Sequence, residues 1–249
     1  MEFTTHYIEP RAAHTHTVVF LHGRDSIRDE FADELFESEA SEPANQPSTL
    51  PNLLPSIRWV FPGAALLPSK RFGTEMSQWF DAWSLENPEE QAGIQEAGLR
   101  RSIEYLVNLI ESESALVPMD KIFLGGISQG FATSITAFLT TPRIAKLGGL
   151  VGLCSWMPPP EVINELAEES SPYRRTSGTE PMAKTPVFLA HAVDDEVINI
   201  KLGRQLRTTL DSFASACTVE WHEYQSGGHW VNEPQGVDDM VSFLKFHMH

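Results

Sequence analysis

The sequence predicts an α/β fold: a doubly wound, mostly parallel sheet with helices on both faces. Two observations carry this. Short runs rich in β-branched and aromatic residues alternate with stretches of helical periodicity along the chain. Several of those runs are apolar throughout rather than at every second position, as strands covered on both faces must be. The chain has 249 residues and 41% hydrophobic content, enough for one large domain of this class. It shows no internal repeat and no dividing linker, so a single domain over 1–249 is expected.

The strand candidates are, in order, HTVVFLHG (16–23), SIRWVFPGA (56–64), KIFLGG (121–126), LGGLVGLCSW (147–156), TPVFLAHA (185–192) and CTVEWHEY (217–224). The first ends in Gly and the second in Pro-Gly, both strand-terminating signals. Between them, Leu99, Ile103, Leu106, Val107 and Ile110 fall at helical spacing. Residues 200–213 place Leu202, Leu206, Leu210 and Phe213 on one side of a second helix, and 237–246 form a third. Two stretches resist this alternation. Residues 28–55 are acidic, then rich in Pro, Asn, Gln and Ser, and read as a surface insert. Residues 62–88 are dense in large apolar side chains, among them Leu66, Leu67, Phe72, Met76, Trp79, Phe80 and Trp83. They read as a segment packed on the sheet or as the wall of a hydrophobic channel.

Charge and cysteine content narrow the function. The formal net charge of −16 repels phosphate backbones and anionic lipid, which argues against nucleic-acid binding. Two cysteines, Cys154 and Cys217, are too few for a disulfide framework, and no C-x-x-C occurs. The acidic start MEFTTHYIEP lacks the apolar core of a signal peptide, and no apolar run reaches membrane-spanning length. A cytoplasmic protein without stable membrane insertion is expected.

The chemistry centres on Gly126-Ile127-Ser128-Gln129-Gly130, a G-x-S-x-G pattern between the strand KIFLGG and the helix-capable FATSITAFLT (131–140). A nucleophile elbow needs that strand–turn–helix context. Small neighbours let the chain reverse sharply, and the helix N-terminus points free N–H groups at the serine. A serine hydroxyl is a weak nucleophile without a base, and in α/β-hydrolases an acid and then a histidine follow it in the chain. Strand TPVFLAHA is followed by Asp194, Asp195 and Glu196, and the position alone leaves the choice among them open. Strand CTVEWHEY is followed by QSGGHW, which puts His229 on a flexible loop past the last strand. Backbone N–H groups of Gln129, just after the serine, and of Arg24, in the loop after the first strand, would form an oxyanion hole.

These residues resemble the acyl-protein thioesterase/carboxylesterase family of α/β-hydrolases, the phospholipase/carboxylesterase group. Its motifs L-H-G-x-G, G-[FG]-S-Q-G, H-G-x-x-D-x-V and G-x-x-H stand here as LHGRDS, GGISQG, HAVDDEV and SGGHW. The resemblance covers most of 14–246 and is strongest to fungal members with a longer insert after the first motif. It implies Ser128 as nucleophile, Asp195 as acid, because H-x-x-x-D spacing from His191 selects it over Asp194, and His229 as base. It implies ester or thioester substrates, such as S-acylated proteins, lysophospholipids or small carboxylic esters, and no metal or cofactor. Leu66, Trp79, Phe131, Trp156 and Met157 are the pocket candidates.

Three positions depart from the family pattern. Asp25 replaces a glycine, so a positive φ there would fall on a residue that tolerates it better than most. Ala192 replaces the glycine after His191. Phe131 follows Gly130 where a small residue is usual, so its ring must face the pocket or displace packing behind the elbow. A non-catalytic binding protein on this fold would need a broken triad, and all three residues are present. A dienelactone-hydrolase-like enzyme usually carries cysteine as nucleophile, and propeller-bearing peptidases need a longer chain.

Overall fold

The computed structural model describes residues 3–169, 171–174, 185–212 and 217–248. The elements run β1 (Thr4–Ile8), β2 (His16–Leu21), α1 (Arg28–Glu37), α2 (Leu50–Leu53), β3 (Ile57–Gly63), β4 (Leu66–Pro68) and β5 (Glu75–Ser77). They continue with α3 (Glu96–Glu113), β6 (Ile122–Ile127), α4 (Gln129–Thr140), β7 (Gly149–Leu153), α5 (Pro160–Leu166), β8 (Thr185–Ala192), α6 (Ile200–Ser212), β9 (Cys217–Tyr224) and α7 (Gln235–His247). All six strand candidates read from the sequence become strands of one sheet. Phe213, placed on the face of α6 by its spacing, lies outside the described residues.

The sheet has seven strands in the order β1-β3-β2-β6-β7-β8-β9. Only β1 runs antiparallel, against β3, and every other neighbouring pair is parallel. Adjacent residues of a strand point to opposite faces, and β2 shows the consequence. Val19 and Leu21 enter one apolar cluster with Leu99, Leu106 and Ile110 of α3. Val18 and Phe20 enter the other with Phe31 of α1 and Met240 and Phe243 of α7. Both faces are covered, so the all-apolar reading of these strands has its physical cause.

Helix α4 is buried along its whole length. A helix in that position must satisfy its own polar side chains. Thr133, Thr136 and Thr140 do so by donating to the carbonyls of Gln129, Ala132 and Thr136, at 2.9, 2.7 and 2.7 Å.

The stretch expected as a surface insert divides in two. Residues 41–47 are largely exposed, but Phe31, Ala32, Leu35, Leu50 and Leu54 are buried in the α7-side core. The acidic residues of α1 occupy its outer face and mask this apolar stripe. In 62–88, β4 and β5 form a small antiparallel hairpin, while Trp79 and Phe80 are fully buried.

Because β2, β6, β8 and β9 are parallel, the loops following them leave the same edge of the sheet. Those are the four loops that carry the sequence motifs, and this edge is where ligands meet open α/β sheets.

Candidate active site

Ser128 occupies the turn between β6 and α4 with φ 56° and ψ −126°, a backbone conformation that a non-glycine residue adopts only under local constraint. The flanking glycines make it possible. A Cβ on Gly130 would stand 2.4 Å from the Leu21 carbonyl oxygen, and one on Gly126 would stand 2.8 Å from the same atom. The turn is held from both sides of Ser128. Its N–H donates to the Leu153 carbonyl at 2.9 Å, and its own carbonyl accepts from Ser155 Oγ at 2.7 Å. Gln129 is the first residue of α4, so its N–H has no acceptor within the helix.

The loop after β2 turns at Asp25 with φ 61°, in the left-handed region. The Asp25 N–H donates to the Ser77 carbonyl at 2.7 Å, which ties the loop to β5. The preceding His22 is fully buried. Its Nδ1 donates to the Gly23 carbonyl at 2.6 Å, and its Nε2 accepts the Ala64 N–H at 3.0 Å. Burial pushes its pKa down to about 4.

Of the three carboxylates after β8, Asp195 is buried and Glu196 is exposed. Asp195 Oδ2 lies 2.8 Å from His229 Nδ1. Its Oδ1 accepts the N–H groups of Val197 and Ile198, each at 2.8 Å. Burial alone would raise its pKa. The hydrogen bonds from His191 and His229, and then from the Ile198 N–H, outweigh it and hold the carboxyl well below the usual carboxylate range. Asp194 does a different job: its Oδ1 accepts the Gly228 N–H at 2.9 Å and so fixes the loop that carries His229. Gly227 and Gly228, at φ 138° and 61°, supply the left-handed turn of that loop.

Ser128 and His229 open onto one cleft of about 530 Å³, which Arg24 also lines. Its walls include Phe31 and Glu34 of α1, Phe72 and Met76, Val197 and Trp230. The contribution of α1 was hidden in the sequence. The Phe31 ring stands edge-on to Trp230, with centroids 5.7 Å apart, so the 28–55 stretch supports the loop that bears His229.

The expected pocket residues lie elsewhere. Leu66 is half exposed on β4 and is not among the cleft-lining residues. Trp79 is in the core, donating from Nε1 to the His22 carbonyl at 2.9 Å. Phe131 is fully buried behind the elbow, in space that a glycine leaves open: a Cβ on Gly152 of β7 would meet its ring at 2.5 Å. Trp156 and Met157 line a second cavity of about 320 Å³, with Ile163 and Leu202, which shares no lining residue with the Ser128 cleft.

Two contacts had no explicit signal in the sequence. The sequence motif gives Gln129 a role only through its backbone, yet its side-chain amide binds the segment at Trp79 and Phe80. His191 marked the acid motif, yet its ring touches the acid itself. Cys154, Asp195 and His229 also present atoms within 4.8 Å of one another, a set that could surround a cation. Burial, and then the charge of Asp195, push the Cys154 thiol up and keep it protonated, whereas a thiolate is the metal-binding form. The sulfur instead donates to the Trp230 carbonyl at 3.5 Å.

The sheet order and the strained serine between β6 and α4 are those of the α/β-hydrolases, and the class is a serine hydrolase on that fold. Comparison with known proteins makes the family explicit. The chain belongs to the Phospholipase/Carboxylesterase family, whose model matches residues 4–248. It is 33% identical to an acyl-protein thioesterase 1 of Yarrowia lipolytica, over 96% of this chain and 94% of the relative. It is 30% identical to one of Cryptococcus neoformans, over 95% and 94%. Among solved structures it is similar to Zea mays acyl-protein thioesterase 2, with a TM-score of 0.76, 25% identity and 99% of each chain covered.

Proposed function

We propose that Ser128, His229 and Asp195 form a catalytic triad that hydrolyses thioesters and esters of acyl chains, S-acylated protein being the favoured substrate. The observation that carries this is the pairing of Asp195 with His229 on the cleft onto which Ser128 opens. A carboxylate can only accept, so the hydrogen of that bond sits on His229 Nδ1, and in the neutral imidazole Nε2 is the nitrogen that carries the lone pair. In the proposed reaction Nε2 takes the proton of Ser128 Oγ as the oxygen attacks the acyl carbonyl. The leaving thiol or alcohol takes that proton back, and water repeats the cycle on the acyl-enzyme. The N–H groups of Arg24 and Gln129 stabilise the oxyanion, at about 3 kcal/mol per donor.

The apolar side chains of Phe72, Met76, Val197 and Trp230 support an acyl chain in the cleft. The relatives named acyl-protein thioesterase support the thioester. Among the described residues no helix is long and apolar enough to cross a membrane. A content of two cysteines, both buried, is in keeping with a cytoplasmic setting.

The test is labelling by a serine-directed fluorophosphonate, comparing the wild type with Ser128→Ala and His229→Ala. Hydrolysis of ester and thioester substrates of increasing acyl length follows. Labelling of the wild type alone, with thioester turnover that persists at long acyl length, is expected. An unlabelled wild type counts against the triad, and activity confined to acetyl and butyryl esters counts against long-chain deacylation.

A further inference from the structure

His191 is a buried imidazole with no part in the proton transfers above. It lies on β8, four residues before Asp195, and is 1% exposed. Its Nε2 stands 2.8 Å from the Ile198 carbonyl oxygen and 3.1 Å from Asp195 Oδ2. Both are acceptors, so Nε2 carries a hydrogen shared between them. Nδ1 has no hydrogen-bond partner among the described residues and faces α6, where Gly203 leaves room for the ring: a Cβ there would stand 2.4 Å from Nδ1. Trp221 of β9 closes in on the same space.

Asp195 therefore has both oxygens doubly engaged: Oδ1 by the N–H groups of Val197 and Ile198, Oδ2 by His229 and His191. The backbone pair fixes Oδ1 but leaves the carboxylate able to turn about that anchor. On Oδ2, His191 supplies the second imidazole N–H beside that of His229. We propose that His191 is a positioning residue, a clamp that keeps the Asp195 carboxylate turned toward His229. The proposal rests on the triad reading above. The titratable groups facing Asp195 are His191 from β8, His229 from the loop after β9 and Cys154 from the turn after β7, with Asp194 next in the chain.

A side chain that only fills space and one that holds a carboxylate predict different kinetics. His191→Leu fills much of the volume without a donor, and His191→Gln restores an N–H at nearly the reach of Nε2. In His191→Leu, kcat is expected to fall about 100-fold, as for a small misplacement of a catalytic group, with KM changed by less than about twofold. The acid limb of kcat/KM should move to lower pH, because the His229 cation loses part of its carboxylate partner. His191→Gln should recover most of kcat and return the limb. Gly203→Ala, which pushes the ring from its far side, should move both readings the same way by less. Equal losses in the Leu and Gln variants, or an acid limb unmoved in His191→Leu, overturn the clamp. Fluorophosphonate labelling of wild type and Ser128→Ala runs in parallel. If the wild type does not label, the triad reading fails. If it labels and the His191→Leu profile is unmoved, only the clamp fails.

Discussion

The side-chain amide of Gln129 is hydrogen-bonded to the main chain at Trp79: Oε1 accepts the Trp79 N–H at 2.9 Å, and Nε2 donates to the next carbonyl, that of Phe80, at 2.8 Å. The residue beside the candidate nucleophile thus joins two parts of the fold. Its backbone starts α4, where the N–H has no acceptor within the helix, and its side chain binds the apolar segment at Trp79 and Phe80. Trp79 returns a bond from Nε1 to the His22 carbonyl, so the elbow, the loop after β2 and the 79–80 segment form one buried polar unit.

Gln129→Ala is expected to destabilise the protein by about 2–5 kcal/mol, because it strands a buried N–H and a buried carbonyl at once. Urea unfolding checks this, through a lower midpoint at an unchanged m-value. Since the backbone donor remains, the surviving folded fraction should still label with fluorophosphonate. Wild-type stability in the variant would mean that water replaces the amide.

The two adjacent aspartates separate by role. Asp195→Asn should lower kcat by about 10⁴-fold, since an amide in place of the carboxylate permits the wrong imidazole tautomer. Asp194→Ala removes only the acceptor for the Gly228 N–H and should cost less than about tenfold. Steady-state kinetics on one chromogenic ester compare them directly. A larger loss at Asp194 would reassign the acid.

His22 gives the protein an acid-side weakness. Its pKa in the folded state is pushed down to about 4 by burial, from an ordinary 6.5. Below pH 6.5 the unfolded chain binds a proton that the folded one refuses, so stability falls as pH drops through the window from 6.5 to about 4. His22→Gln keeps an acceptor for the Ala64 N–H and cannot titrate. Its stability should change less between pH 7 and pH 5 than that of the wild type, by about 1–2 kcal/mol in urea titrations. Parallel curves would place the titration elsewhere, with His16, also pushed down to about 4 by burial, as the next group to replace.

What the sequence discloses here follows from burial. Five of the parallel strands, β2, β3, β6, β7 and β8, are legible because both of their faces are covered, which removes the polar alternation that would blur them, whereas β9, at the sheet edge with Thr218, Glu220 and Glu223 exposed, is legible from its β-branched and aromatic residues. β1 is not, because it lies at the sheet edge with Thr4 and Tyr7 exposed. Ser128, Asp195 and His229 are legible as candidates because each follows a strand and the proposed chemistry demands their order. The pocket is not, because apolar side chains of one composition serve both core and cleft. Within 62–88, Trp79 and Phe80 went to the core while Phe72 and Met76 face the cleft. Only the path of the β4–β5 hairpin decides which is which, and no periodicity encodes that path.

Phe131 and Gly152 give the last prediction, since the departure from the family pattern at one has its counterpart at the other. The ring of Phe131 fills the space that the missing side chain of Gly152 leaves on β7, at 2.5 Å from where a Cβ would stand. Gly152→Ala alone should destabilise by about 1–3 kcal/mol through overpacking. Phe131→Ala alone should cost about 3–5 kcal/mol through the cavity it opens directly behind the elbow. The two are in contact, so their effects should not add. The double variant should be more stable than the sum of the singles by about 0.5–3 kcal/mol, because the new methyl enters the space the ring vacates. Thermal or urea unfolding of the four proteins closes the cycle. Strict additivity would mean that the ring escapes the methyl by turning, and then Gly152→Ala should also alter the rate at which Ser128 is labelled.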